Sequence, residues 1–118
     1  MDKGTNPLGN IYISHRAIAT IAYQSALESY GVVGLAAKNM AEGLVHVIVK
    51  DPTLGVEVIY IGSKLQINLY IIVEYGTRIA SVATSVAENV KFRVEKVTGL
   101  DVEHVNVSVR GLRISNPD

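Results

Sequence analysis

The chain has 118 residues, 48% hydrophobic and 19% charged, which is the composition of one globular domain rather than of a disordered segment. Its 11 lysine and arginine residues balance 11 aspartate and glutamate residues, which argues against a general polyanion binder, because such affinity rests on excess cations. The absence of cysteine excludes a disulfide framework and thiolate chemistry, and no run approaches the roughly 20 apolar residues that a membrane helix needs.

Residues 1–8 read as a flexible arm without the apolar core of a signal peptide, residues 9–114 as a single domain, and residues 115–118 as a tail. This organisation predicts a soluble, cytoplasmic protein. Asn10-Ile11-Tyr12-Ile13 reads as a short strand with Tyr12 opposite the two isoleucines. Ser14 is placed to cap a helix over residues 15–30. Ile18, Ile21, Ala22 and Ser25 form one face of it, widened by Tyr23, Leu27 and Tyr30. Gly31 stands where a left-handed C-terminal residue is expected.

Residues 32–52 form an insert with mixed signals. Val32-Val33-Gly34-Leu35 suits a short strand or a buried loop. Residues 35–40 favour helix by composition. Leu44-Val45-His46-Val47-Ile48-Val49 favours strand by propensity, yet Leu44, Val47 and Ile48 also fit a helical face. The reading adopted is a short helix ending near Lys50, broken by Asp51-Pro52.

Two strands follow, residues 56–61 and 65–75, joined by Gly62-Ser63-Lys64 as an antiparallel hairpin. The second is the longest strand-like run. Leu65, Ile67, Leu69, Ile71, Val73 and Tyr75 line one face; Gln66, Asn68, Tyr70, Ile72 and Glu74 line the other. Gly76 supplies a turn and Thr77 the expected cap of a helix closing at Gly99. Its apolar stripe is Ile79, Val82, Ala83, Val86, Val90, Val94 and Val97. A last strand covers residues 103–110, where Val105, Val107 and Val109 alternate with polar side chains. The order is β-α-β-β-α-β around the insert. Two apolar helix faces need one apolar sheet face, which predicts a two-layer α+β sandwich with both main helices on one side of a mixed or antiparallel sheet.

The residues carry no catalytic pattern. His15, His46 and His104 lie in separate segments without a ligand at helical spacing, so no metal site is expected. Nucleophile elbow, phosphate loop and dinucleotide fingerprint are all missing. No enzyme activity, no catalytic residue and no cofactor are expected. The open sheet face is more informative. It would present Tyr12, Asn68, Tyr70, Ile72, His104, Asn106 and Arg110, a polar surface with two tyrosines, the residue types enriched at partner surfaces. An alternative reading is a nucleic-acid module stacking bases on Tyr12 and Tyr70. The long strand lacks the Lys/Arg-Gly-aromatic pattern of such modules, and its one charge, Glu74, is negative, so nucleic acid is not the expected partner. Self-association through the open face or an edge strand is expected ahead of coiled-coil pairing, because the long helix has no heptad seam. Phe92, the only phenylalanine, lies off the apolar stripe.

Leu69-Tyr70-Ile71-Ile72-Val73-Glu74-Tyr75-Gly76-Thr77 before a long helix, then Thr98-Gly99-Leu100 and Val105-Asn106-Val107, carry a resemblance to a known family. The opening Gly9-Asn10-Ile11-Tyr12-Ile13-Ser14 and Tyr30-Gly31-Val32-Val33-Gly34-Leu35 add to it. Over residues 9–114 the chain resembles the bacterial alkaline-shock, or envelope-stress-response, family, and is most similar to its small single-domain members. The resemblance implies a cytoplasmic, non-enzymatic protein of cell-envelope homeostasis that forms a homo-oligomer. It also implies a small membrane-anchored protein partner that would hold the chain peripherally at the membrane, without direct insertion. The family has no agreed catalytic residues to carry over.

Overall fold

The computed structural model describes residues 13–38 and 48–114. The elements are α1 (His15–Leu27), β1 (Val32–Leu35), α2 (Pro52–Gly55), β2 (Val56–Ile61), β3 (Lys64–Glu74), α3 (Ile79–Thr98) and β4 (Asp101–Arg113). β3 is the axis of a four-stranded sheet. β4 lies along one edge of it, parallel, from Lys64↔Asp101 to Glu74↔Arg113. β2 and β1 share its other edge end to end, both antiparallel; β2 pairs with residues 64–69 and β1 with residues 71–73. A parallel pair needs a long crossover, which α3 supplies. The sheet is therefore mixed, and the α+β sandwich has both main helices on one face.

The core follows from alternation. Leu65, Ile67, Leu69, Ile71 and Val73 are each fully buried and pack against Ile18, Ala22 and Ala26 of α1 and Val82, Val86, Val90 and Val94 of α3. The small residues of α1 let it approach the sheet closely. Asn89 donates to the hydroxyl of buried Ser29 at 2.9 Å, and Arg93 pairs with Glu28 at 2.9 Å, so the two helices are also joined to each other. Ser14 caps α1 as expected, accepting from the Ala17 amide at 3.1 Å. Gly99, at φ 76°, closes α3.

Several expectations are corrected. The strand at residues 10–13 lies mostly outside the described residues, and Ile13 is not in a strand; its carbonyl accepts from the Tyr60 hydroxyl at 2.8 Å. α1 stops at Leu27, and Tyr30 is 79% exposed instead of widening its apolar face. Thr77 is not the cap of α3. Its hydroxyl donates back to the Glu74 carbonyl at 2.7 Å, which closes the turn, while Arg78 occupies the cap position without a side-chain bond. Tyr75, Ile79 and Val97 are exposed, because the strand and the apolar stripe run past the ends of the layer they cover.

The helix expected to end near Lys50 is absent at its described end. Val49 instead forms an antiparallel bridge with Leu35, and its amide donates to the Leu35 carbonyl at 2.8 Å. At Val49 the β-branched propensity prevailed over helical spacing, because the outer edge of β1 offers it a backbone partner. Residues 39–47, including His46, lie outside the described residues. Asp51 does break the preceding segment and also starts α2, accepting from the Thr53 amide at 3.0 Å and the Thr53 hydroxyl at 2.8 Å. These bonds from Thr53, the hydroxyl first, hold its carboxyl below the ordinary range, against a small opposing effect of burial and with help from Arg16.

β4 is longer than expected at both ends and contains two register shifts. Leu65 faces Val102 and Gln66 faces His104, so Glu103 is an extra residue; Ile71 faces Val109 and Ile72 faces Gly111, so Arg110 is another. Each is a bulge, which re-aims a side chain without shifting the alternation between the bulges.

Candidate functional site

The sheet face turned away from the helices follows from the register. The Gly62-Ser63 turn pairs Ile61 with Lys64, which sets Glu57 opposite Asn68. On the other side of β3, Asn68 faces Asn106 and Tyr70 faces Ser108. Three strands thereby bring a row of polar side chains together. Asn106 donates to the Asn68 side-chain carbonyl at 2.8 Å, and the Asn68 amide donates to Glu57 Oε1 at 3.1 Å. Glu57 Oε2 meets Lys38 Nζ at 3.5 Å. The bulge at Arg110 carries its guanidinium over the Tyr70 ring, 4.7 Å from the centroid. A cation over an aromatic face at an exposed site is worth about 0.5–1 kcal/mol. Tyr70 is thus covered on one ring face by Arg110.

Of the sequence-predicted residues, Asn68, Tyr70, Asn106 and Arg110 come together directly. His104 is exposed on the same face, opposite Gln66. Ile72 does not contribute: it is 0% exposed. Its cross-strand partner is Gly34, and Ile48 packs over that glycine, with Cγ2 2.6 Å from where a Cβ would stand. The returning insert covers this end of the face, which period-two alternation could not reveal. Tyr12 lies outside the described residues. Two participants were missed. Glu57 was legible once the two-residue turn set the hairpin register. Lys38 carried no signal, because its position depends on the path of the insert.

The Asn68 amide is the main cause that holds the Glu57 carboxyl below its ordinary value; partial burial opposes it, and the Lys38 charge and the Tyr70 hydroxyl assist. A depressed carboxylate stabilises the fold above its unfolded pKa, and this contribution is lost as pH falls through the folded value. Glu57→Gln should therefore lower stability at neutral pH by about 1 kcal/mol or less, allowing for solvent screening. The difference from the parent should be smaller at about pH 3, below the ordinary carboxylate range, and vanish only below the depressed folded value. Urea unfolding at the two pH values measures both.

Hollows on the surface are modest. His15, Lys38, Thr53 and Glu57 line one of about 240 Å³, and Tyr30, Arg78, Ser81 and Ser85 line another of about 430 Å³. The His15 ring stacks on Tyr60, with centroids 5.4 Å apart. Among the described residues no group of three or more histidine, aspartate or glutamate side chains could hold a metal ion. No described helix is long and apolar enough to cross a membrane.

An α+β sandwich with one covered face and one broad, side-chain-braced polar face defines a small surface-presenting domain. Comparison with known proteins gives the relationship. The chain belongs to the alkaline shock protein 23 family, described as having a cell envelope-related function, which it matches over residues 3–114. It is 42% identical to YloU of Bacillus subtilis (strain 168) over 111 residues, covering 92% of each chain. It is 31% identical to YqhY of the same organism over 114 residues, covering 96% of this chain and 84% of YqhY. Among solved structures it is similar in fold to MamM-CTD, with a TM-score of 0.51 at 17% identity, covering 81% of this chain and 96% of that one.

Proposed function

We propose that this protein is a non-enzymatic interaction module of cell-envelope homeostasis that works by holding a protein partner and by self-association. Its place is the cytoplasm, with a peripheral share at the membrane through a small membrane-anchored partner. The observation that carries the reading is the braced Tyr70. Its ring lies under Arg110, beside the hydrogen-bonded row of Asn106, Asn68 and Glu57, so it is ordered before any partner arrives. Side chains ordered in advance lose little entropy on binding, and tyrosine with arginine is a frequent hot-spot combination. The family's envelope-related description supports the same reading.

The test is the share of the protein recovered with membranes from its own cells. Truncation of a hot-spot side chain costs about 2 kcal/mol or more, roughly thirtyfold in affinity. Tyr70→Ala and Arg110→Ala should each strip most of the membrane-associated pool while the melting temperature of the purified variants falls by only about a few degrees. An unchanged membrane share in both variants would overturn the partner assignment.

A further inference from the structure

We propose that two copies of this chain join through the outer edge of β4, antiparallel, into one continuous eight-stranded sheet centred on Val107. This inference rests on the self-association part of the reading above and assigns it a surface. Among the described residues, β4 pairs only with β3, so its outer edge presents backbone donors and acceptors along most of a 13-residue strand, the Val102 amide being taken by Glu95. Long open edges are normally blunted or covered. Here the two bulges, at Glu103 and Arg110, stand near the ends and leave residues 104–109 in regular register between them.

Two independent features select one partner and one register. The first is charge order along the strand. Asp101 and Glu103 stand at its start, Arg110 and Arg113 at its end, and all four are exposed. A second copy running antiparallel sets the acidic end of each strand beside the basic end of the other. A parallel copy would set like charges together. The second feature is the helix-side row Val105, Val107 and Val109, which packs against the core yet stays only half-buried at this edge. Antiparallel pairing about Val107 puts it on the partner's Val107 and Val105 on the partner's Val109. The same register puts Asp101 opposite the partner's Arg113 and Asn106 opposite the partner's Ser108. A shift by one residue would send valines to the opposite sheet face. A centre at Asn106 or Ser108 would leave one valine of each copy without a valine partner. On α3, Asn89 and Arg93 turn towards α1, and Glu95 reaches the Val102 amide of β4 at 2.9 Å. The stripe of α3 on the side of the free edge carries Ala80, Thr84, Ala87 and Lys91, three small side chains and one flexible one.

Sedimentation velocity over a concentration series tests this with a charge exchange. Asp101→Arg sets arginine against the partner's Arg113, and Arg113→Glu sets glutamate against the partner's Asp101. Each variant alone should dimerise at least about fivefold more weakly than the parent, and an equimolar mixture should recover most of that loss. Val107→Lys, whose amine can reach water in the monomer, should abolish the dimer without unfolding the domain. In the parent, alternate amides within residues 104–109 should gain exchange protection as concentration rises. Association that survives all three variants but is lost in Tyr70→Ala would overturn the edge assignment and move self-association to the open face. A parent that stays monomeric throughout the series would overturn both this inference and the self-association reading, while the membrane-share experiment judges the protein partner separately.

Discussion

Leu69→Ala is expected to lower the free energy of unfolding by about 2–5 kcal/mol, because it empties a site in the middle of the core. Leu69 is fully buried, and its neighbours across the sheet are Val56 of β2 and Val107 of β4. Both neighbours sit on strands held by continuous backbone pairing, so the walls of the site cannot collapse freely, and a rigid cavity gives the larger losses in this range. For a domain of this size the melting temperature should fall by on the order of 10 °C. Tyr70 makes the comparison informative. It is the next residue and points to the opposite face, where its ring rests under Arg110. Tyr70→Ala should cost only the cation–π contact and some packing, about 1 kcal/mol or a little more. Thermal unfolding of the two variants side by side, with membrane share measured in parallel, separates the stability face of β3 from its contact face. Equal losses of stability would mean that the open face is as closely packed as the core.

Gly31→Ala is expected to destabilise the domain by about 2–3 kcal/mol, from two causes that act together. Gly31 has φ of +86°, which an L side chain rarely adopts, and a Cβ built there would stand 2.7 Å from Cγ2 of Val82. Forcing a non-glycine residue into the left-handed region costs about 1 kcal/mol or more. The clash adds to this, because Val82 is itself 2% exposed and has little room to move. The Gly31 carbonyl also accepts from the Glu74 amide at 2.9 Å, so the backbone cannot relax without losing the bond that ties the start of β1 to the end of β3. Gly62→Ala is the control. Its φ is +62°, but nothing lies within 4 Å of its added Cβ, so only the backbone cost applies. Urea denaturation of the two variants should show Gly31→Ala the more destabilised by at least about 1 kcal/mol. A Gly62→Ala loss as large as that of Gly31→Ala would show that contact with Val82 is not what excludes a side chain at position 31.

Local sequence patterns determined a good part of this protein. Alternation in β3, the valine spacing of α3, Ser14 as a cap and Gly99 as a left-handed closure each depend on residues a few positions apart, and each is found where it was expected; Gly31 is left-handed too, but α1 has already ended at Leu27. The Gly62-Ser63 turn fixes β2 against β3, and with it the pairing of Glu57 and Asn68. Asn68, Tyr70 and Asn106 could therefore be assigned to one face from period-two alternation alone. Family membership was legible for a related reason, since it rests on the same turn and cap residues that these local geometries demand.

The tertiary structure decided what alternation cannot encode. Ile72 has the position of a surface residue, yet it is buried because Gly34 beside it lacks a side chain and Ile48, from the far end of the insert, fills that space. Val49 was ambiguous between helix and strand until the outer edge of β1 offered its backbone a partner. Thr77 has the chemistry of a helix cap, but the Glu74 carbonyl lies closer to hand. The bulges of β4 depend on matching two strands over 11 residues of β3, and one of them lays Arg110 on Tyr70. Apart from Thr77, whose bond to Glu74 spans three residues, the deciding contact joins segments whose separation is set by the packed sheet. Local propensity governs which elements form, and long-range packing governs which side chains those elements leave open to a partner.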